Sequence, residues 1–275
     1  MTSFDPARLL IAAACIAVMA SPTPAQAGVG DLLVAPTRIV LNGSRGTQII
    51  LNNIGDDVAT YRISLELRRM TPDGSLVDVP APSEAEKAAE AMILYAPRKI
   101  TLPPNQPQTI NIAARAPAGL ADGEYRVHLL FRAIPAPRPV TAAATTAAKG
   151  ISFALTPVYG VTIPVIVRLG NLQAKAGIAN VHLVREGGKP AVAFDLTRSG
   201  SRSTFGEIRV MKAGIKDPIA IQRGIAIYTE LTQRSIAIPV DDKLAASATG
   251  PVTVQYVETT EMGPEVLAET AAVLR

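Results

Sequence analysis

The residue types that most often catalyse reactions or bind metals are scarce in this chain and stand apart from one another. There are one cysteine and two histidines in 275 residues. His128 and His182 each lie on a predicted strand, without Cys, Asp or Glu at metal-ligand spacing, which favours a solvent-exposed or core-edge position over a ligand or base. HExxH, GxSxG and phosphate-binding glycine loops are also missing from the sequence. We therefore expect no enzyme activity, no metal and no cofactor.

Carboxylates do occur in groups, but each group has a structural interpretation. Ser83–Met92 is predicted to form a helix whose first residue is the N-cap, with Glu86 completing a capping box. Glutamates along one exposed helix face do not favour paired carboxylate catalysis. Two aspartate pairs are typical of turns, with calcium binding as the alternative: Asp56-Asp57 and Asp241-Asp242.

The most informative element is a long run of alternating residues, Ile151–Arg168 (ISFALTPVYGVTIPVIVR). Every second side chain from Ile151 to Val167 is apolar, so a strand here would have one continuous apolar face. Pro157 and Pro164 cannot donate to a sheet ladder and favour an edge strand. A long apolar edge strand is an aggregation hazard. The stretch is therefore either a core strand bent at its prolines or an edge strand lent to another protein by strand addition.

The N-terminal residues predict export. Met1–Ala27 contains a basic residue, Arg8, then the apolar run Leu9–Ala20, and ends in the small-x-small site Ala25-Gln26-Ala27, as signal peptides do. The apolar run is too short to span a membrane, and no later stretch is long and uncharged enough to do so. Cys15 lies inside this segment, so the mature chain has no disulfide. We expect a periplasmic or secreted protein without membrane insertion.

The rest of the chain has the alternation and turn residues of an all-β protein. In the first half, strands are expected at Leu32–Leu41, Gln48–Asn53, Thr60–Arg69, Tyr95–Leu102, Gln108–Ala114 and Glu124–Phe131. Along the last of these, residues are predicted to face core and solvent in turn. Residues 135–150 form a low-complexity loop before the long strand. We place a domain boundary after residue 169, which gives two β-sandwich domains, 28–169 and 170–275.

Charge and hydropathy narrow the class of partner. The net charge is +4, and 48% of the residues are hydrophobic. The basic residues are spread along the chain without interleaved aromatics, which argues against nucleic acid as a partner. The high apolar content is consistent with exposed apolar surface that is reserved for another protein.

Three segments of the first half together resemble the PapD-like periplasmic chaperones of pilus assembly. Thr37–Gly43 resembles the first strand of that family, with an arginine before an apolar pair and a turn. Ile100–Ile110 resembles its proline-turn-strand segment, and Gly123–Pro135 resembles the strand before its mobile loop. The order of loop, long alternating strand and second domain also fits. The resemblance implies two immunoglobulin-like β-sandwich domains in an L-shaped arrangement.

The same resemblance implies a mechanism, donor-strand complementation. A pilus or fimbrial subunit lacks its last strand, and the chaperone inserts its own long edge strand into the exposed groove. Ile151, Phe153 and Leu155 would be the side chains that fill the groove. An outer-membrane usher is the expected second partner, and the free protein could be a monomer or a dimer that caps its own strand.

In the family, a basic pair in the cleft between the domains holds the terminal carboxylate of the subunit. Arg38 matches the first member of this pair, and its planar guanidinium suits bidentate binding of a carboxylate. The second member is usually a lysine late in the long strand. Thr162 stands near that position, and no lysine occurs between Lys149 and Lys175. Arg168 is the one basic residue of the strand and the candidate replacement.

A second interpretation remains open at this stage. The chain could be a non-catalytic periplasmic or surface protein with a structural or adhesive role, in which the long strand serves only its own core.

Overall fold

The computed structural model describes residues 31–43, 45–135, 158–260 and 263–275. Within these ranges the chain forms 18 β-strands, one α-helix and one 3-10 helix, so the prediction of an all-β protein is confirmed. The apolar residues collect into two separate cores, one built from residues 34–167 and the other from residues 192–274.

The first core lies inside a sandwich of two sheets. Its strands are β1 (Leu32–Ala35), β2 (Ile39–Asn42), β3 (Thr47–Asn53), β4 (Ala59–Glu66), β5 (Arg68–Met70), β6 (Leu76–Asp78), β7 (Ile93–Ala96), β8 (Lys99–Leu102), β9 (Pro107–Ala114), β10 (Gly123–Ile134) and β11 (Gly160–Leu169). One sheet has the order β1-β3-β9-β7 and the other β2-β11-β10-β4-β8, while β5 and β6 form a separate hairpin. Alternate side chains from the two facing sheets, including Leu51 and Phe131, fill the space between them.

The second core lies in a sandwich of one three-stranded and one four-stranded sheet. Its strands are β12 (Ala174–Glu186), β13 (Lys189–Gly200), β14 (Thr204–Met211), β15 (Ala220–Ile227), β16 (Gln233–Pro239), β17 (Gly250–Thr260) and β18 (Gly263–Leu274). The sheet orders are β12-β13-β16 and β15-β14-β17-β18. The 3-10 helix, Asp242–Ser247, connects β16 to β17. Leu196 and Tyr256 are among the fully buried residues of this core.

Three segments that were each predicted to be one strand are instead two strands in different sheets. Thr60–Arg69 divides into β4 and β5. Leu32–Leu41 divides into β1 and β2, and Tyr95–Leu102 divides into β7 and β8. Pro36 and Pro97 lie at the last two breaks, and a residue without an N–H group cannot continue a ladder. Core-facing residues alternate within each strand, but the phase shifts by one residue across each of these two breaks, from Val34 to Ile39 and from Ile93 to Ile100.

Helix α1 (Glu84–Met92) confirms the predicted capping box. The Ser83 hydroxyl accepts a hydrogen bond from the Glu86 N–H at 3.3 Å, and the Glu86 carboxylate accepts one from the Ser83 N–H at 2.7 Å. Ala89 and Met92 are buried against the first core. The carboxylate of Glu86 also pairs with Arg69, so it joins the helix to the hairpin of β5 and β6.

The face of β10 that was predicted to meet solvent is buried, so that prediction was wrong. The side chain of Glu124 is 1% exposed and that of Arg126 is 9% exposed. His128 is also buried, at 1%. The second sandwich covers this face, and a third apolar cluster at the junction contains Met70, Ile166, Ala226 and Tyr228. Alternation along a strand distinguishes two faces, but it cannot say that a second domain covers one of them.

Candidate functional site

Strand β11, which forms the second half of the predicted long strand, is paired on both sides over only part of its length. β10 pairs with it from Gly160 to Leu169. On the other flank, β2 pairs in parallel with Val165–Arg168 only. The prediction of an edge strand is therefore wrong for Val165–Arg168. In the part of the chain that the structure describes, Gly160–Pro164 has one unpaired flank, which we call the free edge.

The register shows which backbone groups lie along the free edge. The N–H of Ala133 donates to the carbonyl of Tyr159 at 2.9 Å, so these two residues form a hydrogen-bonded pair. Because such pairs alternate along an antiparallel ladder, the N–H and C=O groups of Gly160 and Thr162 point away from β10. Pro164 lies opposite His128 in a non-hydrogen-bonded pair, as Gly160 and Thr162 do with their partners, so its missing N–H removes no hydrogen bond to β10.

The apolar face of this strand changes from buried to exposed along its length. Ile163, Val165 and Val167 belong to the first core. At the start of the strand Tyr159 is 55% exposed, and its neighbour Val158 is 44% exposed. Tyr159 shares its parity with Ile151, Phe153 and Leu155, which lie outside the described residues, so their role in filling a subunit groove stays a prediction.

A cleft of about 710 Å³ lies between the two sandwiches, beyond the free edge. Arg38, which precedes β2, and Arg168, near the end of β11, line it from the first domain. Arg202 and Glu258 line it from the second. The structure thus brings together the two arginines that the sequence selected and adds a third, Arg202. All three arginines donate hydrogen bonds to Ser203.

Arg38 reaches across the domain junction. Its guanidinium lies 4.5 Å from the centre of the Phe205 ring and 5.8 Å from that of Tyr228. Nη2 donates to the Ser203 hydroxyl at 3.1 Å, whereas Nη1 is buried without a hydrogen-bond partner in the described residues. Burial lowers the pKa of this guanidinium below its usual value, and the nearby Tyr228 and Glu124 oppose that shift. A buried donor without an acceptor favours an anion at this position.

Arg168 forms an ion pair with the buried carboxylate of Glu124. It lies directly opposite Glu124 in the ladder of β10 and β11, and its Nε donates to Glu124 Oε2 at 3.0 Å. The same oxygen accepts the Ser203 N–H at 3.0 Å, while Oε1 is buried and has no partner within the described ranges. Because Glu124 is buried, Arg168 is needed to compensate its charge.

Arg202 was missed by sequence reasoning because it lies in a turn of the other domain, between β13 and β14. Its guanidinium makes a bidentate pair of hydrogen bonds with the Glu258 carboxylate, at 3.2 Å from Nη1 to Oε1 and 3.1 Å from Nη2 to Oε2. Nη1 also donates to the Ser203 carbonyl at 3.3 Å. Strand periodicity carries no signal for a turn residue of this kind.

A buried arginine holds the turn that carries Arg202. Arg198 is 6% exposed and donates to four backbone carbonyls, at 2.8 to 3.2 Å: Gly200, Arg202, Leu231 and Thr229. Gly200 has φ of +103°, and a Cβ atom there would lie 2.3 Å from the carbonyl oxygen of Gln173. This turn is therefore packed against the segment that joins the domains, and only glycine fits the contact.

A second set of contacts joins the domains beside the cleft. Arg126 pairs with Glu230 at 2.5 and 3.1 Å and lies 3.6 Å over the Tyr228 ring. Glu230 also accepts the N–H of Met70 at 2.8 Å. Neither ring nitrogen of His128 has a hydrogen-bond partner in the residues described. Burial, with smaller effects from Arg126 and Arg68, lowers the pKa of His128 to about 3.

Among the described residues, no group of three or more His, Cys, Asp or Glu side chains could hold a metal ion. His182 is exposed, and its Nδ1 lies 2.6 Å from the carbonyl oxygen of Asn180. No helix in the described ranges is long and apolar enough to cross a membrane.

Among known proteins, the chain matches solved structures only. No protein-family model and no curated protein matches the chain. It is similar to the E. coli chaperone DraB, with 15% identity, 90% of this chain and 98% of that chain covered, and a TM-score of 0.42. It is similar to the Pseudomonas aeruginosa CupB2 chaperone, with 12% identity, 88% and 100% covered, and a TM-score of 0.43. It is also similar to a chain of the Salmonella enterica complex of the SafA pilin with the SafB chaperone, with 15% identity, 90% and 98% covered, and a TM-score of 0.42. At these identities, residue roles do not transfer to this chain by position.

Proposed function

We propose that this protein is a periplasmic chaperone that binds pilus or fimbrial subunits by donor-strand complementation. The observation that carries the proposal is the free edge at Gly160–Pro164, on a strand whose apolar face continues beyond its own core to the exposed Tyr159. In this account the incomplete sheet of a subunit pairs with this strand and with the residues that precede it.

The backbone and the side chains of the strand would make different contributions. The outward N–H and C=O groups of Gly160 and Thr162 can continue a ladder into the sheet of a partner. Ile151, Phe153 and Leu155 would fill the subunit groove. Each buried side chain of this size contributes about 1.5 to 3 kcal/mol, before the cost of ordering the segment.

The position of Arg38 favours one orientation of the bound strand. β2 covers the flank of β11 from Val165 onward, and the parallel register places Arg38 opposite Pro164, where the free edge ends. An added strand must stop there. If it runs parallel to β11, its C-terminal carboxylate meets the guanidinium of Arg38, whereas an antiparallel strand would bring a positive amino terminus. We propose Arg38 as the ligand of that carboxylate. Arg168 would position Ser203, which Arg38 also contacts.

Delivery follows from the same mechanism. A subunit held in this way would be passed to an outer-membrane usher for assembly. The free protein could pair with a second copy through the same edge, as a self-capping dimer.

Co-expression with a fimbrial subunit tests the proposal. Phe153→Asp should abolish the co-purified complex and leave the fold intact, because a charge in the groove is unfavourable. Val266→Asp is the matched control, since Val266 is 51% exposed on β18 in the second domain, and it should retain the complex. If Phe153→Asp unfolds the protein, the strand is part of its own core, and the alternative of a structural or adhesive protein is favoured instead.

A further inference from the structure

The charges of the cleft converge on one buried residue, Ser203. Its hydroxyl accepts from Arg38, its N–H donates to Glu124, and its carbonyl accepts from both Arg168 and Arg202. Ser203 is 0% exposed. With Glu258 on Arg202, the cleft holds three guanidinium groups and two carboxylates, which leaves one net positive charge.

The two ion pairs of the cleft differ in how easily another carboxylate can replace the glutamate on its arginine. Glu124 is 1% exposed, so separating it from Arg168 would leave a buried charge without compensation. Arg202 and Glu258 are 20% and 15% exposed. Glu258 sits near the end of β17, and its side chain lines the open cleft. It can therefore turn to solvent when another carboxylate takes its place on Arg202.

We infer that Glu258 occupies Arg202 as an internal competitor, and that the C-terminal carboxylate of a bound strand displaces it to bind between Arg38 and Arg202. This inference rests on the proposed function and names the second cation of the site. The exchange replaces one carboxylate by another on the same guanidinium fork, so the local charge on Arg202 stays compensated. Arg168 keeps Glu124 and takes no direct part.

The inference predicts opposite effects for the two partners of the pair. Glu258→Gln removes the competitor while keeping the shape of the side chain, so affinity for a terminal carboxylate should rise roughly two- to fivefold, the range expected for one partly exposed ion pair. Arg202→Gln should lower it by a similar factor. Asp242→Asn is the control, because it makes the same charge change in an exposed pair, Lys189 with Asp242.

The experiment is an NMR titration with two synthetic peptides. Both have two N-terminal lysines followed by seven alternating valines and threonines, and one ends in a free carboxylate while the other ends in an amide. Wild-type protein and Asp242→Asn should bind the acid more tightly than the amide by the same ratio. Glu258→Gln should raise that ratio and Arg202→Gln should lower it, and the spectra report whether each variant is folded.

Several outcomes would overturn the inference: wild-type protein that binds acid and amide equally or binds neither, a ratio that is unchanged in Glu258→Gln, or a ratio lost only in Arg168→Gln. Failure of the proposed function looks different. A protein that captures no subunit on co-expression but still prefers the acid peptide contradicts the chaperone role and supports the site. A protein that captures subunits without preferring the acid peptide supports the chaperone role and overturns the site.

Discussion

At the scale of single residues, the junction between the domains concentrates polar groups that the sequence pattern assigns to solvent. Glu124, Arg126 and His128 alternate with apolar residues on β10, yet all three are buried. The alternation itself was predicted correctly. Tyr228 and Glu230 cover this face. They lie about a hundred residues later in the chain, and no local pattern indicates that contact.

His128 should make stability depend on pH. Its pKa is about 3 in the folded protein, against 6.5 for a free histidine. The unfolded chain therefore binds the extra proton between these values, so the free energy of unfolding falls as pH falls below 6.5. From pH 7 to pH 5 this group should cost about 2 kcal/mol, and urea unfolding of His128→Leu should lack that loss.

The exposed histidine provides the control for this measurement. His182→Leu removes an exposed histidine and leaves His128 in place, so it should retain the loss of stability that His128 causes. Equal pH dependence in wild type and His128→Leu would show that His128 does not contribute in this way.

Arg168 should matter for stability more than a surface arginine does. Arg168→Met leaves the buried carboxylate of Glu124 without its partner, which should cost about 3 to 5 kcal/mol. Arg209→Met removes a pair in which the arginine is 39% exposed, and it should cost about 1 kcal/mol or less. Denaturant unfolding of both variants compares them. Similar small losses would mean that Glu124 is solvated in the folded protein.

At the scale of elements, the turn between β13 and β14 sets the position of Arg202. Gly200→Ala would place a Cβ atom 2.3 Å from the Gln173 carbonyl oxygen at a φ of +103°. Gly214 has a similar φ of +82°, but no atom of the described residues lies within 4 Å of the corresponding Cβ position. Gly200→Ala should therefore lower the thermal midpoint more than Gly214→Ala, and equal losses would exclude the close contact as the cause.

Elements with local signals could be predicted from the sequence, and elements that depend on distant partners could not. Helix α1 follows from its capping box, and β10 from its alternation. The division of Leu32–Leu41 between two sheets depends on where Pro36 interrupts the ladder, which an apolar pattern does not record. The burial of half of β11 depends on the parallel pairing of β2, which lies more than a hundred residues earlier.

At the scale of the whole molecule, the two sandwiches are joined so that one strand serves two purposes. Val165–Arg168 is fixed between β10 and β2 and helps to form the junction through Ile166 and Arg168. Gly160–Pro164 is held by β10 alone among the strands described. A rigid half positions a half that is open to a partner, and the cleft lies beside the rigid half, where Arg168 and Arg38 line it. The candidate site therefore depends on both domains, although the resemblance selected residues from the first one only.

Residue-resolved amide hydrogen exchange on the free protein and on its complex with a subunit tests the free edge most directly. In the free protein, the amides of Gly160 and Thr162 should exchange rapidly, while those of Val161 and Ile163, which donate to β10, should be protected. On subunit binding, Gly160 and Thr162 should become protected as well. Protection of Gly160 and Thr162 already in the free monomer, or rapid exchange that persists in the complex, would contradict strand donation.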